Sequence, residues 1–196
     1  MNHRECDRES DDDQARSSTR GSGLIVVVLG APGTGKTTTL RALSGRLGCP
    51  EFELSWMPEF SMRDGERIAY EEDETIAVDA LIQVAKTYVR HGHRYVLLSD
   101  FRLATVECVR DLLTDVPHLF VVLYSSDEAT LTARVLDESR SSGYRDTAEA
   151  VALNAQYPHL ELPNSFLVDT GEASLEEVVE SIVNYLRAGP CRRAEP

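Results

Sequence analysis

The apolar run LIVVVL at residues 24–29 leads without a break into Gly30-Ala31-Pro32-Gly33-Thr34-Gly35-Lys36-Thr37. All six residues of the run are strand formers, and an apolar stretch of that length fits a strand covered on both faces. The segment that follows, residues 35–47, reads as a helix. GAPGTGKT satisfies G-x-x-x-x-G-K-[ST] at every fixed position, in the strand-loop-helix context that gives the motif its meaning. Gly30, Gly33 and Gly35 let the backbone turn tightly and approach a phosphate, and successive N–H groups from about Gly33 to Thr38 make an anion nest at the helix N-terminus. Lys36 then reaches the β- and γ-phosphates, and the Thr37 hydroxyl is placed to ligate Mg²⁺. Gly30, Gly33, Thr34, Gly35, Lys36, Thr37 and Thr38 are therefore the expected phosphate-binding residues. A glycine-rich turn that merely joined a strand to a helix would have no use for the lysine.

The rest of the chain alternates in the same way. Strand-like runs fall at 24–29, 51–56, 94–99, 119–124 and 165–168, and helical segments at 35–47, 75–90, 104–114, 127–140, 147–156 and 174–187. In the last helix Leu175, Val178, Val179, Ile182, Val183 and Leu186 follow an i, i+3, i+4 stripe, and Ser174 with Glu177 forms a capping box. Regular alternation of this kind predicts an α/β fold with a mainly parallel sheet and helices on both faces. Ligands in such folds sit at the carboxyl ends of the strands, so the residues just after each strand carry the function.

The 196 residues, 42% of them hydrophobic, are enough for one sizeable domain. A polar segment at 1–23 and a short tail at 188–196 lack the apolar content to repay ordering and are expected to be flexible, leaving 24–187 as the domain. Cys6, Cys49, Cys108 and Cys191 form no C-x-x-C pair, so neither a zinc site nor a disulfide framework is expected, and a reducing, cytoplasmic compartment fits. The apolar runs fall short of the ~20 residues of a membrane helix, and the N-terminus does not read as a signal peptide. A net charge of -13 argues against a nucleic-acid partner, whose backbone is bound by lysine and arginine. The oligomeric state is not encoded in any of these patterns.

Two further features bear on chemistry. Asp100 follows the strand RYVLLS and stands where an acidic residue holds the Mg²⁺ water shell, although an aspartate there also serves as a helix cap. Arg102 either faces the substrate or is simply exposed. Arg134, Arg140 and Arg145 flank Ser141-Ser142-Gly143, so the stretch 134–146 reads as a small lid whose arginines neutralise charge on a transferring phosphoryl group. The alternative is a solvated helix face with Arg134 paired to Glu138.

With the phosphate loop at 30–37, the acidic strand end at Asp100, the arginines of 134–145 and the ending FLVDTGEASLEEVVESIVNYL, the chain resembles small P-loop kinases of the nucleoside-monophosphate-kinase fold over residues 24–187. That group includes shikimate, gluconate and adenylyl-sulfate kinases and chloramphenicol phosphotransferases. The resemblance implies a three-layer fold, a five-stranded sheet of order 2-3-1-4-5, and ATP and Mg²⁺ as cofactors. It also implies an adenine site along Asp169 to Ala173, including Gly171, and a lid arginine, Arg134 or Arg140, on the base or phosphates. The expected activity is transfer of the γ-phosphoryl group to a hydroxyl or phosphate of a small molecule: a nucleoside or nucleotide, a sugar-like metabolite or an antibiotic. Lys36, Asp100, Arg134 and Arg140 are the expected catalytic residues, with Thr37 and Asp100 on the metal. The chain departs from the family after the second strand, where FELSWMPEFSMRDGERIAY lacks the usual aspartate that orients or deprotonates the acceptor. Glu53, Glu59 or Asp64 is a substitute, or Asp100 acts alone, and Asp100 is the first choice. Trp56, Met57, Phe60 and Tyr70 are either pocket walls or core. The rival reading is a P-loop ATPase or nucleotide-binding regulator acting on a macromolecular partner. A GTPase switch lacks its N-K-x-D element here.

Overall fold

The computed structural model describes residues 23–57, 62–139 and 142–189. In chain order the elements are β1 (Leu24–Gly30), α1 (Lys36–Leu47), β2 (Glu51–Glu53), a hairpin of β3 (Met62–Arg63) and β4 (Glu66–Arg67), α2 (Tyr70–Arg90), β5 (Tyr95–Ser99), α3 (Val106–Leu112), β6 (His118–Tyr124), α4 (Glu128–Leu136), α5 (Thr147–Gln156), β7 (Ser165–Asp169) and α6 (Leu175–Ala188). The main sheet runs β2-β5-β1-β6-β7, with every neighbouring pair parallel. With the small hairpin set aside, this is the second-third-first-fourth-fifth order expected from the resemblance.

Alternation along the central strand builds the two outer layers. Ile25, Val27 and Leu29 of β1 point into a core shared with Val78, Leu81 and Ile82 of α2 and Val106 and Val109 of α3. Val26 and Val28 point the other way, against Leu40 and Leu43 of α1 and the stripe Val178, Val179, Ile182, Val183 and Leu186 of α6. Side chains two residues apart share a face of a strand, so a run of apolar residues must be covered on both sides. Every residue of β1 is buried accordingly.

The α6 stripe and its cap are as the sequence predicts. The Ser174 side chain accepts from the Glu177 amide, and the Glu177 carboxylate receives the Ser174 N–H at 2.9 Å. Ser174→Ala is expected to cost about 1 kcal/mol, seen as a lower denaturation midpoint with an unchanged denaturant slope.

Element ends differ from the sequence expectation where no apolar period marks them. Residues 51–56 do not form one strand: β2 stops at Glu53, and Leu54–Trp56 turn as a 3₁₀ helix that buries Leu54 and leaves Trp56 54% exposed. Helix α2 begins at Tyr70 rather than 75, because its first turn carries Glu71, Glu72 and Asp73, which favour a helix N-terminus without adding to an apolar stripe. The helix expected over 104–114 starts as a 3₁₀ turn, Leu103–Thr105, and is regular only over Val106–Leu112. The one expected over 127–140 ends at Leu136, since the Asp137 carboxylate accepts from the Ser139 amide at 2.9 Å and turns the chain away. Glu59, Phe60 and Arg140, and most of the two tails, lie outside the described residues. Among the described residues no helix is long and apolar enough to cross a membrane.

Candidate active site

The loop between β1 and α1 is shaped by close approach. A Cβ on Gly30 would sit 2.5 Å from the Leu123 carbonyl oxygen and 2.6 Å from Thr34 Oγ1. One on Gly33, at φ +91°, would meet Val135 Cγ2 at 2.8 Å, so neither position accepts a side chain. Inside the loop, Thr34 Oγ1 donates to Ala31 O at 2.9 Å, and Lys36 Nζ reaches back to the same carbonyl at 3.0 Å. Gly35, at the start of α1, supplies no side-chain cap to the helix's first amides. The first N–H groups of a helix lack intrahelical partners and, beside an ammonium, are suited to polyanionic phosphate. The loop forms one wall of a cavity of about 760 Å³ that extends past Asp100 to Arg134, Thr170 and Ala173. The expected phosphate residues from Gly33 to Thr38 all line it, whereas Gly30 acts below the surface by admitting the turn.

Two carboxylates meet beside Thr37. Glu53 ends β2 in register with Ser99 of β5, so parallel pairing sets it next to Asp100, the following residue. Glu53 is 7% exposed. Its Oε2 accepts from the Thr37 hydroxyl at 3.3 Å, and its Oε1 is buried without a hydrogen-bond partner. Burial, and then the charge of Asp100, push the Glu53 carboxyl above the usual carboxylate range, against the pull of the Thr37 bond and of Arg41. Asp100 has φ +75°, a conformation aspartate tolerates better than most residues, and it lines the cavity. The buried Tyr157 stands close enough for Asp100 to raise its phenol, which burial has already pushed up, to about 12. Glu53 was one of several substitutes in the sequence; strand register is what singles it out. Asp64 is instead part of the Asp-Gly turn of the β3–β4 hairpin, at φ +52°.

The same carboxylates answer whether Mg²⁺ suits the site. Thr37 and Asp100, both on the cavity wall, present hard oxygen donors of the kind Mg²⁺ takes. Among the described residues no group of three or more His, Cys, Asp or Glu side chains could hold a metal ion by itself. The set therefore fits a cation that arrives with nucleotide phosphates as additional ligands.

At the other end of the cavity, Arg134 of α4 donates from Nη1 to Thr170 Oγ1 at 3.4 Å, and Thr170 Oγ1 donates to Tyr124 O at 3.0 Å. Asp169 Oδ1 accepts from the amides of Gly171 and Ser126, at 2.8 and 3.0 Å, tying the loop after β7 to the loop after β6. The segment after α4 contributes Asp137, Ser139, Ser142 and Tyr144, of which the sequence had named only Ser142, in the Ser-Ser-Gly stretch. Tyr144 donates to Glu149 at 2.8 Å, and Arg145 braces its own turn by donating to Ser142 O and Tyr144 O. Of the arginines expected on this segment, Arg134 lines the cavity, and Arg41 of α1, which the sequence had not singled out, lines it as well.

The remaining candidates lie after β2, at the start of α2 and after β5, and none of them lines the cavity. Arg102 makes a two-pronged contact with the buried Glu74 and stacks over the Tyr70 ring at 4.9 Å. Trp56 and Tyr70 are exposed, 54% and 59%, and Met57 packs against the core. The two aromatic side chains are therefore surface groups beside β2 and α2, not core.

No protein-family model matches the chain. It is 27% identical over 173 residues to a Pyrococcus furiosus protein named "Putative adenylate kinase", covering 87% of this chain and 88% of that one. Among solved structures it is similar to a sugar kinase from Janibacter sp., at 20% identity and TM-score 0.61 over 86% of this chain and 97% of that one. A gluconokinase from Sinorhizobium meliloti also matches, at 20% identity and TM-score 0.59 over 85% and 93% of the two chains. Over most of its length the chain is similar to small P-loop kinases, and it has their fold.

Proposed function

We propose that the chain is an ATP- and Mg²⁺-dependent phosphotransferase that moves the γ-phosphoryl group to a hydroxyl or phosphate of a small molecule. The observation that carries this reading is the meeting of Glu53 and Asp100 at adjacent strand ends beside Thr37 of the phosphate loop, with Thr37 and Asp100 lining the cavity. The kinase names of the similar proteins support it.

The residues divide the work by position. Lys36 and the first amides of α1 hold the phosphates. Thr37 and Asp100 would hold Mg²⁺, which when bound offsets charge on the β- and γ-phosphates. Because the Thr37 hydroxyl donates to Glu53, its lone pairs are turned outward. We assign the acceptor's proton to Glu53, whose unpartnered Oε1 is buried behind the cavity wall formed by Thr37 and Asp100 and whose raised pKa brings it nearer to what a base at neutral pH requires. This moves the first choice of base from Asp100 to Glu53 and leaves Asp100 on the metal side. Arg134, with Arg140 of the following segment, would neutralise charge on the transferring group. The adenine ring would pass along Asp169 to Ala173.

The test is a mass-spectrometric screen of nucleosides, nucleoside monophosphates, sugars and antibiotics with ATP and Mg²⁺. A phosphate-sized gain on one acceptor is expected. Release of free phosphate alone, stimulated by a macromolecule, would overturn the reading. With the acceptor in hand, kcat/KM is expected to fall as pH drops through the Glu53 pKa, with a midpoint above the ordinary glutamate value of about 4.3. In Asp100→Asn, turnover falls by orders of magnitude, and the residual activity should show that midpoint moved down, because a neighbouring charge that raises the pKa is gone. A midpoint that stays put would separate Asp100 from Glu53 electrostatically.

A further inference from the structure

A side-chain amide from one helix braces the backbone that leaves β6. Asn154, on α5, accepts from the Ser125 amide through Oδ1 at 2.9 Å and donates from Nδ2 to the Ser125 carbonyl at 2.8 Å. Ser125 is 4% exposed and follows β6 directly. The next two residues continue the chain of contacts. The Ser126 amide donates to Asp169, which also holds the Gly171 amide. Asp127 caps α4 by accepting from Ala129. A Cβ on Gly171 would lie 3.1 Å from both Asp127 N and Ser126 Oγ, so the loop after β7 rests directly on this connection. Thr170 and Ala173 of that loop, and Arg134 of α4, line the far end of the cavity. Fixing Ser125 therefore fixes two things at once: the floor beneath the Thr170–Ala173 loop and the start of the helix that carries Arg134.

We propose that Asn154 is a positioning residue for the base half of the nucleotide site, locking the β6–α4 connection so that the Thr170–Ala173 loop stands in place before a nucleotide arrives. This rests on the reading that the cavity binds a nucleotide. The geometry supplies the mechanism: a buried N–H and a buried C=O left without their partners are costly and are expected to rearrange, and rearrangement here acts on the Thr170–Ala173 loop and the capped start of α4, whereas the phosphate loop meets α4 beyond its first three residues, through Gly33 against Leu131 and Val135. A site that must order its wall on binding loses affinity for the group that wall contacts.

The experiment compares two probes on the full chain by calorimetry, with Mg²⁺: ATP, which has a base, and inorganic tripolyphosphate, which has none. In the wild type, ATP should bind at least tenfold more tightly. In Asn154→Ala, ATP should weaken by about tenfold or more while tripolyphosphate stays within about twofold. Asn154→Asp fills the same volume but cannot donate to the Ser125 carbonyl, and it should weaken ATP in the same selective way if the alanine variant is too unstable to measure. Equal weakening of both probes, or no weakening of ATP, overturns the proposal. So does a wild type that binds the two probes equally. A wild type that binds neither probe overturns the nucleotide reading itself, and this shows before any variant is compared.

Discussion

Glu53→Gln is expected to lower turnover by about 10²- to 10⁴-fold, the range for loss of a positioned proton acceptor, while the KM for ATP changes by no more than a few-fold. Glutamine keeps the volume and still presents an oxygen to Thr37, so the phosphate loop is left intact. What it cannot do is accept a proton from the acceptor. The acidic limb of the kcat/KM profile should vanish along with the activity. Stability should move the other way. Because burial raises the Glu53 pKa, the folded chain holds its proton more tightly than the unfolded chain. Stability therefore falls as pH rises from the ordinary glutamate value through the raised one, and it stays lower above both. The neutral variant lacks that dependence and should melt at or above the wild-type temperature at pH 7. Near-normal turnover in this variant would return the base to Asp100.

Lys36→Ala is expected to weaken ATP by about 10- to 150-fold, the equivalent of losing a hydrogen bond to a charged group worth roughly 1.5–3 kcal/mol. Tripolyphosphate should weaken in parallel, since the lysine acts on phosphate alone. The fold should survive: the contact of Lys36 Nζ with Ala31 O is only part-buried, and the loop keeps its internal bond from Thr34 to the same carbonyl. Unchanged affinity, measured by calorimetry on a chain with normal melting, would remove the lysine from the phosphate site. Together the two variants separate holding the nucleotide from using it.

The parts legible in the sequence are those that a single local pattern specifies. The phosphate loop needs glycines, a lysine and a hydroxyl at fixed spacing, and the buried strands need apolar residues on both faces. β1 and α6 accordingly stand where periodicity and capping place them. Less was legible wherever the decisive neighbour comes from another strand. Glu53 looked like one acid among several because nothing in FELSW shows that parallel register sets it against Ser99 and Asp100. Arg102 was ambiguous because its partner, Glu74, lies 28 residues away on a first turn without apolar period. Asn154 gave no signal at all, since an asparagine in a helix carries no mark of the peptide it will hold. Element ends slipped for a similar reason: Asp137 stops α4 by a side-chain bond that competes with the helix.

The left-handed backbone at Asp100 bears on how this acid is to be probed and replaced. At φ +75° most side chains are strained by roughly 1–2 kcal/mol, whereas aspartate and asparagine are better tolerated. Alanine at position 100 would combine a lost carboxylate with a distorted strand end, and the distortion would carry through Ser99 to Glu53. Alanine scanning would then credit one acid with the work of two. Asparagine separates the charge from the shape, and glycine keeps the turn while removing the side chain. The narrow set of residues that fit this turn also limits drift: a neutral path away from aspartate at this position runs through asparagine or glycine, each of which gives up the charge before any other acid can replace it.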